Sequence, residues 1–166
     1  MAYLSDDLYQ TVTSSVPLVC VDLIPVRRKG DQWNIGLITR ATGSEKGKIA
    51  ILGGRIYHDE AIESAIRRHL EENLGIGKFT LLQGNVLDRP FMVQSYTHSD
   101  DVEPNSPYDP TKHAIALTYL IEIEGEIRSS NEAGDFHWIS DGDVPTAAAY
   151  NQHVVMQSAF RFLSGR

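Results

Sequence analysis

A single cysteine and a shortage of basic residues are the first limits that the sequence sets. Cys20 lies inside an apolar run, where no intrachain disulfide can form and the thiol is expected to pack as a small apolar side chain. Only 15 Lys and Arg residues stand against 22 Asp and Glu residues, which gives a formal net charge of −7. This balance is poorly suited to a nucleic acid partner. The negative net charge remains compatible with a small phosphorylated ligand that binds in a local basic pocket.

Long apolar segments are missing as well. No stretch approaches the ~20 apolar residues that a membrane span needs, and residues 1–7 lack the basic and apolar regions of a signal peptide. We therefore expect a cytoplasmic protein with no membrane partner. The chain has 166 residues, 42% of them hydrophobic and 22% charged, which suits one globular domain over residues 1–166.

Changes in hydrophobic periodicity predict an α+β fold. The first half of the chain reads as a short N-terminal helix followed by strands, and the second half as further strands and a closing amphipathic helix. Residues 96–112 contain three prolines and no periodicity, so they predict a long surface loop. The order favours a mixed or mostly antiparallel β-sheet sandwiched between helices, an α/β/α arrangement. The predicted helices are residues 4–13, a central helix from residue 59 and residues 151–163; the predicted strands are residues 16–26, 33–40, 48–52, 79–93, 113–123 and 135–139.

The central helix carries its charged residues on one side. Apolar residues recur every four positions up to Leu74, and Gly75 stands where a left-handed residue ends a helix. At 100° per residue, Arg68, His69 and Glu72 fall within about 100° of one another, and Asn73 lies a further ~100° beyond Glu72. The same wheel points Glu60 and Glu71 well away from this sector. Periodicity alone also allows a plain solvated face with helical ion pairs.

The same segment resembles the Nudix signature. In that signature a glycine is followed after five residues by a glutamate, and after seven further residues by the sequence Arg-Glu-apolar-any-Glu-Glu-any-Gly-apolar. Its two departures are His69 and Asn73, which stand where the Nudix family has glutamates that bind or support a divalent metal. Seven of the nine specified positions match, namely Gly54, Glu60, Arg68, Leu70, Glu72, Gly75 and Ile76.

Beyond the signature, residues 8–162 look most similar to the GDP-mannose mannosyl hydrolase branch of that superfamily. The resemblance implies that Arg40 and Arg55 bind the diphosphate and its leaving group. It implies that Arg68 pairs with a glutamate to orient the loop and helix. In that branch a Gln-His pair supplies a metal ligand and the general base, and here the pair reads Glu132-Ala133. Residues that resemble the branch's substrate contacts are Asp22, His113 and His153.

A divalent cation, Mg²⁺ or Mn²⁺, is the cofactor that the resemblance implies. Mg²⁺ prefers carboxylate, carbonyl and water oxygens, so Glu72, Glu132 and the Gly53 carbonyl form a sensible ligand set, to which Asn73 could add a neutral oxygen. His69 is a poor Mg²⁺ ligand and an acceptable Mn²⁺ ligand, and near neutral pH it could instead serve as a base or a phosphate donor.

Two functions follow from these residues. The first is a metal-dependent hydrolase of a nucleoside diphosphate linked to another moiety, a nucleotide sugar above all, with Arg40, Arg55, Arg68, His69 and Glu132 as its catalytic set. The second is a domain that kept the nucleotide cradle, lost the chemistry and binds a nucleotide metabolite as a sensor or interaction module. The resemblance also implies a homodimer, for which the apolar segment up to Val19 is suited.

Overall fold

The computed structural model describes residues 5–82, 87, 89–97 and 106–165, and it consists of helices on both faces of a mixed sheet. Two short 3₁₀ turns, Asp141–Asp143 and Ala149–Asn151, precede the last helix. The helices are α1 (Asp6–Ser15), α2 (Ile62–Leu74) and α3 (His153–Ser164). The strands are β1 (Leu18–Lys29), β2 (Gln32–Arg40), β3 (Ile49–Ala50), β4 (Leu52–Arg55), β5 (Lys78–Leu81), β6 (Met92–Tyr96), β7 (Ala114–Glu124) and β8 (Ala133–Ile139).

Strand β1 is the centre of the sheet. Its first half pairs in parallel with β7, from Leu18 opposite Ala114 to Pro25 opposite Ile121. The same residues of β1 pair antiparallel with β4 on the other side, and the end of β1 forms the hairpin with β2. Strands β3 and β8 extend β2, and β5 and β6 extend β7. β1 therefore connects the two halves of the sheet, and it borders Gly53 and Gly54 through its pairing with β4.

Two buried apolar clusters hold the helices on opposite faces. The apolar stripe of α2 packs on one face, with Leu70 and Leu74 fully buried. The stripe of α3 packs on the other face, with Val155, Met156 and Leu163 fully buried. Each stripe follows the 3.6-residue period of an amphipathic helix. This is the α/β/α arrangement that the sequence predicts.

Several predicted boundaries need correction. Gly53 and Gly54 belong to β4 and are not a loop after a strand, because they pair with Asp22 and Val21 of β1. The predicted strand over residues 79–93 is two strands, β5 and β6, and its middle lies outside the described residues. Tyr96 ends β6 and is buried, so it does not begin a surface loop. Residues 98–105, with His98 among them, also lie outside the described residues. None of the described helices is long and apolar enough to cross a membrane.

Candidate functional site

A pocket of about 570 Å³ opens where β1, β4 and α2 meet. Its walls come from the loop before β8, the start of β7, the turn before α3 and one face of α1. The lining residues that carry charge are Asp6, Asp22, Arg40, Arg55, Arg68, Glu72, Asp109, Lys112 and Glu132. Four residues of α2 face this pocket, namely Arg68, His69, Glu72 and Asn73. They stand at the arginine and the three glutamate positions of the signature's helix. The helical wheel grouped Arg68, His69 and Glu72 on one side but placed Asn73 beyond this sector, so the direction of Asn73 is a correction.

Arg68 ties the loop before α2 to the helix. Its Nε and one terminal nitrogen each donate to a different carboxylate oxygen of Glu60 at 2.8 Å, and the same terminal nitrogen donates to the carbonyl of Arg55 at 3.0 Å. The Glu60 carboxylate also accepts the backbone N–H of Tyr57 at 2.8 Å. The hydrogen bond from Arg68 is the main reason why the pKa of Glu60 is lowered. Glu60 precedes the helix, so the wheel that pointed it away from Arg68 was wrong.

His69 packs its ring against the glycine strand. A Cβ atom on Gly54 would lie 2.6 Å from the His69 Cε1 atom, so this ring position requires glycine at residue 54. The His69 Nε2 atom lies 3.3 Å from the Arg55 carbonyl oxygen, which makes Nε2 the protonated nitrogen that donates. Burial, followed by the nearby charge of Arg68, lowers the pKa of His69, so the ring is neutral at pH 7. His69 thus supports the backbone of the pocket wall.

The side chain of Asn73 is engaged on both sides. Its amide nitrogen donates to the His69 carbonyl at 2.9 Å, and its oxygen accepts the backbone N–H of Glu132 at 3.1 Å. The hydroxyl of Ser130 donates to the Glu72 carbonyl at 2.6 Å. These bonds hold the segment before β8 against the end of α2 and bring Glu72 and Glu132 to the same wall. They also occupy the Asn73 oxygen that the sequence analysis offers as a metal ligand.

Glu72 and Glu132 are the two carboxylates available on this wall. Each side chain is 52% exposed, and within the described part of the chain each forms one long ion pair, Glu72 with Arg68 at 3.7 Å and Glu132 with Arg40 at 3.9 Å. Among the described residues, no group of three or more His, Cys, Asp or Glu side chains is placed to hold a metal ion. Two carboxylates fit Mg²⁺ that keeps several waters and shares its coordination with substrate phosphate. They do not fit a cation held by side chains alone.

Arg40 carries a polar atom without a partner. Its Nε is buried and has no hydrogen-bond partner in the described part of the protein. The guanidinium lies 5.2 Å from the centre of the Tyr150 ring, and the side chain is 14% exposed. Tyr150 has a left-handed φ of 54°, a conformation that costs a bulky residue on the order of 1–3 kcal/mol. A buried unpaired donor is also costly, so this arrangement suits an anion that would accept the Nε proton.

Arg55 lies between two tyrosine rings at the mouth of the pocket. The guanidinium of Arg55 is 5.4 Å from the centre of the Tyr9 ring and 5.3 Å from that of Tyr57. Tyr9 comes from α1, whose only buried residue is Thr13. Neither Tyr9 nor Tyr57 was predicted from the sequence. Tyr57 stands two residues after Arg55 and could have been detected as a partner for a stacked cation, whereas Tyr9 has no arginine near it in the sequence.

Asp22 is buried at the inner end of the pocket. The Tyr96 hydroxyl donates to its carboxylate at 2.7 Å, and the Gln152 amide donates to that hydroxyl at 3.1 Å. Gln152 in turn accepts the backbone N–H of Ile51 at 2.9 Å. Burial raises the pKa of Asp22 to about 6, against the effect of the Tyr96 hydrogen bond. Tyr96 therefore supports the Asp22 carboxylate.

The raised pKa of Asp22 predicts a pH dependence of stability. The folded protein holds the Asp22 proton up to about pH 6, whereas an unfolded aspartate releases it near pH 3.9, so burial of Asp22 costs stability as the pH rises through this window. Asp22→Asn removes the cost of about 2–3 kcal/mol. We expect denaturant unfolding to show the variant gaining stability relative to wild type between pH 4 and pH 7. Asp31→Asn, in an exposed turn, should show no such gain, and an equal effect of Asp22→Asn at both pH values would contradict the assignment.

The two histidines that resemble substrate contacts lie elsewhere. His113 places its Nε2 atom 3.0 Å from the Ser95 hydroxyl on an exposed part of β6. His153 starts α3 with a buried Nδ1 that has no hydrogen-bond partner among the residues that the structure describes. Neither lines the pocket that the described residues form. Asp109 and Lys112 do line it, and the sequence analysis missed both because they follow an irregular segment without a motif.

A loop–helix cradle of glycines, arginines and carboxylates on an α/β/α sandwich defines the Nudix fold. The chain shares its fold with solved NUDIX structures. The chain belongs to the family described as "Domain of unknown function (DUF4916)", whose profile matches residues 1–160.

The relatives and structural neighbours are Nudix hydrolases, which are enzymes. Nucleoside triphosphatase NudI of Escherichia fergusonii is 33% identical over 102 residues, a match that covers 59% of this chain and 65% of the relative. The chain thus spans just under two thirds of that relative's length. A structure titled as a possible asymmetric diadenosine tetraphosphate hydrolase from Jonesia denitrificans is 25% identical, with a TM-score of 0.73, and the match covers 90% of this chain and 96% of that one.

A third similarity shows the fold alone. The NUDIX domain of Shewanella oneidensis NrtR, in complex with ADP ribose, has a TM-score of 0.64 at 16% identity, with 96% of this chain and 99% of that chain covered. Nudix hydrolases generally use divalent metals, typically Mg²⁺.

Proposed function

We propose that the protein is a divalent-metal-dependent hydrolase of a nucleoside diphosphate linked to another moiety, with a nucleotide sugar as the favoured substrate. The observation that carries the proposal is the buried Nε of Arg40, which has no hydrogen-bond partner among the described residues and lies in a pocket that also contains Arg55 and two half-exposed carboxylates. Hydrolysis of a diphosphate linkage needs positive charge on the phosphoryl groups and a water in line with the leaving group.

The arginines would bind the diphosphate. Arg40 offers Nε and its terminal nitrogens to phosphate oxygens, and Tyr150 keeps the guanidinium in place by stacking. Arg55 would bind the second phosphoryl group from its position between two tyrosine rings. Arg68 is a positioning residue, because its main contacts are the Glu60 carboxylate and the backbone of Arg55.

Glu72 and Glu132 would hold Mg²⁺ or Mn²⁺ together with the Gly53 carbonyl and substrate phosphate. The bound cation supplies charge neutralisation on the phosphoryl oxygens. The two candidate bases are Glu132 and His69. Glu132 is the better placed to orient a water, since its carboxylate is half-exposed in the pocket. The Nε2 of His69 is directed at the Arg55 carbonyl, so His69 would act by holding the diphosphate-binding strand.

The test is hydrolysis of a nucleotide-sugar panel in ¹⁸O-labelled water with Mg²⁺ or Mn²⁺. Label in the nucleoside monophosphate or sugar phosphate would show attack at phosphorus. Label in the free sugar would show attack at the anomeric carbon. We expect metal-dependent turnover of at least one nucleotide sugar. Turnover of nucleoside triphosphates or dinucleoside polyphosphates alone would overturn the nucleotide-sugar assignment.

A binding module is the second candidate. The observation that favours it is the use of His69 and Asn73, at two metal-associated positions of the signature, to hold the backbone of Arg55 and Glu132. A nucleotide metabolite would then bind without turnover. Tight binding of ADP ribose or a nucleotide sugar, unchanged by chelation and without product, would establish this function in place of the hydrolase.

We also propose that the protein forms a homodimer through the segment that ends at Val19. Leu8, Val16 and Val19 are large apolar residues with about half of their surface exposed, at 49%, 52% and 49%. All three lie in or shortly after α1 in the chain, and exposed apolar residues of this kind favour a self-complementary contact. Sedimentation at micromolar concentration should show a dimer, and a monomer at all concentrations would contradict the proposal.

A further inference from the structure

Lys112 is fixed in the inner part of the pocket by Asp109. The Lys112 ammonium donates to one carboxylate oxygen of Asp109 at 2.7 Å. The other oxygen accepts the Thr111 backbone N–H at 2.8 Å and the Thr111 hydroxyl at 2.6 Å. Asp109 itself is only 5% exposed, so it is held firmly by the loop before β7. These contacts hold the flexible side chain of Lys112 in one position.

The ammonium of Lys112 has unused hydrogen-bonding capacity. It carries three donors, and Asp109 is its one acceptor within hydrogen-bond distance among the described residues. Burial opposes the charge, but the hydrogen bond and charge of Asp109 outweigh it and raise the pKa of Lys112. The side chain is 25% exposed and lines the pocket. At neutral pH a charged donor is therefore presented to whatever occupies the inner end.

Asp22 supplies the complementary acceptor. Its carboxylate accepts one hydrogen bond from Tyr96, and each carboxylate oxygen has room for more than one donor. Small side chains on the neighbouring strands, Cys20, Ala114 and Ala116, leave space between these polar groups. A carboxylate and an ammonium in one chamber match adjacent groups that both donate and accept hydrogen bonds, as the hydroxyls of a sugar do.

Two groups of charged residues line the pocket. In the first group Arg40 lies 3.9 Å from Glu132, Arg68 lies 3.7 Å from Glu72, and Arg55 adds a further cation. In the second group, which contains the buried Asp22, Lys112 is hydrogen-bonded to Asp109 at 2.7 Å and its charge acts on Asp22. The first group has more cations than carboxylates, which suits a diphosphate, and the second has more carboxylates than cations, which disfavours a further phosphate there.

We propose that Lys112, positioned by Asp109, is a specificity-determining residue that hydrogen-bonds, together with Asp22, a neutral hydroxyl-bearing group attached to the diphosphate. This inference rests on the proposed function and refines it. It assigns the inner chamber to the group beyond the diphosphate, and it distinguishes a nucleotide sugar from a nucleoside triphosphate, whose last phosphate would meet Asp22 and Asp109.

The test compares binding of GDP-mannose and UDP-glucose with binding of GDP, UDP, GTP and UTP. Calorimetric titration in Ca²⁺, over a time in which no product forms, separates binding from turnover. For Lys112→Met we expect affinity for the preferred nucleotide sugar to fall about tenfold, the loss typical of a hydrogen bond from a charged donor. Affinity for the parent diphosphate should change less than about twofold. Asp109→Asn should give a smaller loss of the same selectivity, because Lys112 is then no longer held.

Lys78→Met is the matched control, since Lys78 is exposed on β5 away from the pocket. It should leave every affinity unchanged, and the melting temperatures of the variants show that each is folded. Equal weakening of diphosphate and nucleotide sugar would make Lys112 a phosphate contact and overturn the inference. A selective loss for GTP or UTP, or no change at all, would overturn it too. Failure of every compound to bind wild type would instead contradict the proposed function itself.

Discussion

Glu72→Gln is expected to reduce metal-dependent turnover by at least about 100-fold, which corresponds to about 2.7 kcal/mol of transition-state stabilisation. Among the described residues, Glu72 and Glu132 are the two half-exposed carboxylates where the end of α2 meets the loop before β8, so the substitution leaves Glu132 as the one charged carboxylate there. The amide keeps the size of the side chain and loses the charge that a divalent cation requires. Initial rates with Mg²⁺ and Mn²⁺, at saturating substrate, measure the effect.

Glu71→Gln provides the matched control for this substitution. Glu71 is the neighbouring glutamate on α2, is exposed and does not line the pocket. Its variant should retain wild-type rates and wild-type stability. Nucleotide affinity without metal should change less than about threefold in both variants, because the arginines and not Glu72 are expected to bind the diphosphate. Wild-type turnover by Glu72→Gln would remove this residue from the metal site.

Loss of the pair between Glu60 and Arg68 should have the largest effect on stability. Both side chains are mostly buried, at 12% and 16% exposed, and they are joined by two parallel hydrogen bonds of 2.8 Å. Arg68→Met leaves the Glu60 carboxylate buried without its main partner, which costs about 3–5 kcal/mol for such pairs. The end of β4 at Arg55 and the loop that bears Tyr57 would lose their support at the same time. Urea unfolding measures the loss directly.

A double-mutant cycle isolates this interaction. We expect Glu60→Gln with Arg68→Met to give a coupling energy of about 1–3 kcal/mol. The exposed pair between Glu63 and Arg67, on the same helix at 3.1 Å, is the control and should couple by less than about 0.5 kcal/mol. Coupling of the same small size in both cycles would show that the Glu60 pair does not hold the loop.

The same pair predicts a loss of stability in acid. Arg68 lowers the pKa of Glu60 in the folded protein, so the contribution is complete above the pKa of an unfolded glutamate. It disappears as the pH falls through the lowered folded value. Glu60→Gln should therefore lose less stability than wild type between pH 5 and pH 3. An identical acid dependence in the two proteins would contradict this.

The parts of the fold that follow a period could be predicted from the sequence. The four-residue recurrence of apolar side chains placed α2, and Gly75 ends it with a left-handed φ of 66°. Continuous apolar runs placed β1 and β7 in the core. The same periodicity failed at Glu60, because the helix begins at Ile62 and Asp59 turns the chain with a φ of 59°. A helical wheel does not apply before the first helical residue.

The roles of individual site residues depend on contacts that no motif encodes. The signature identified His69 and Asn73 as departures, but only the tertiary structure shows that both side chains hydrogen-bond to backbone groups of the pocket wall. Tyr96 and Gln152 meet at Asp22 across residues far apart in the chain. Distances of this kind depend on the pairing of β1, β6 and β7, which a single sequence does not specify.

The position of β1 also affects how the protein is made. Its residues from Leu18 to Pro25 pair with Ala114 to Ile121, whereas Leu52 to Arg55 on the other side are available much earlier. The ribosome adds residues at about 5–20 per second, so the 66 residues between positions 55 and 121 take roughly 3–13 s. For that time the most apolar strand of the nascent chain has one unpaired edge. We expect synthesis, more than the finished fold, to be the stage at which this protein aggregates, and chaperones that cover strand edges to raise its yield.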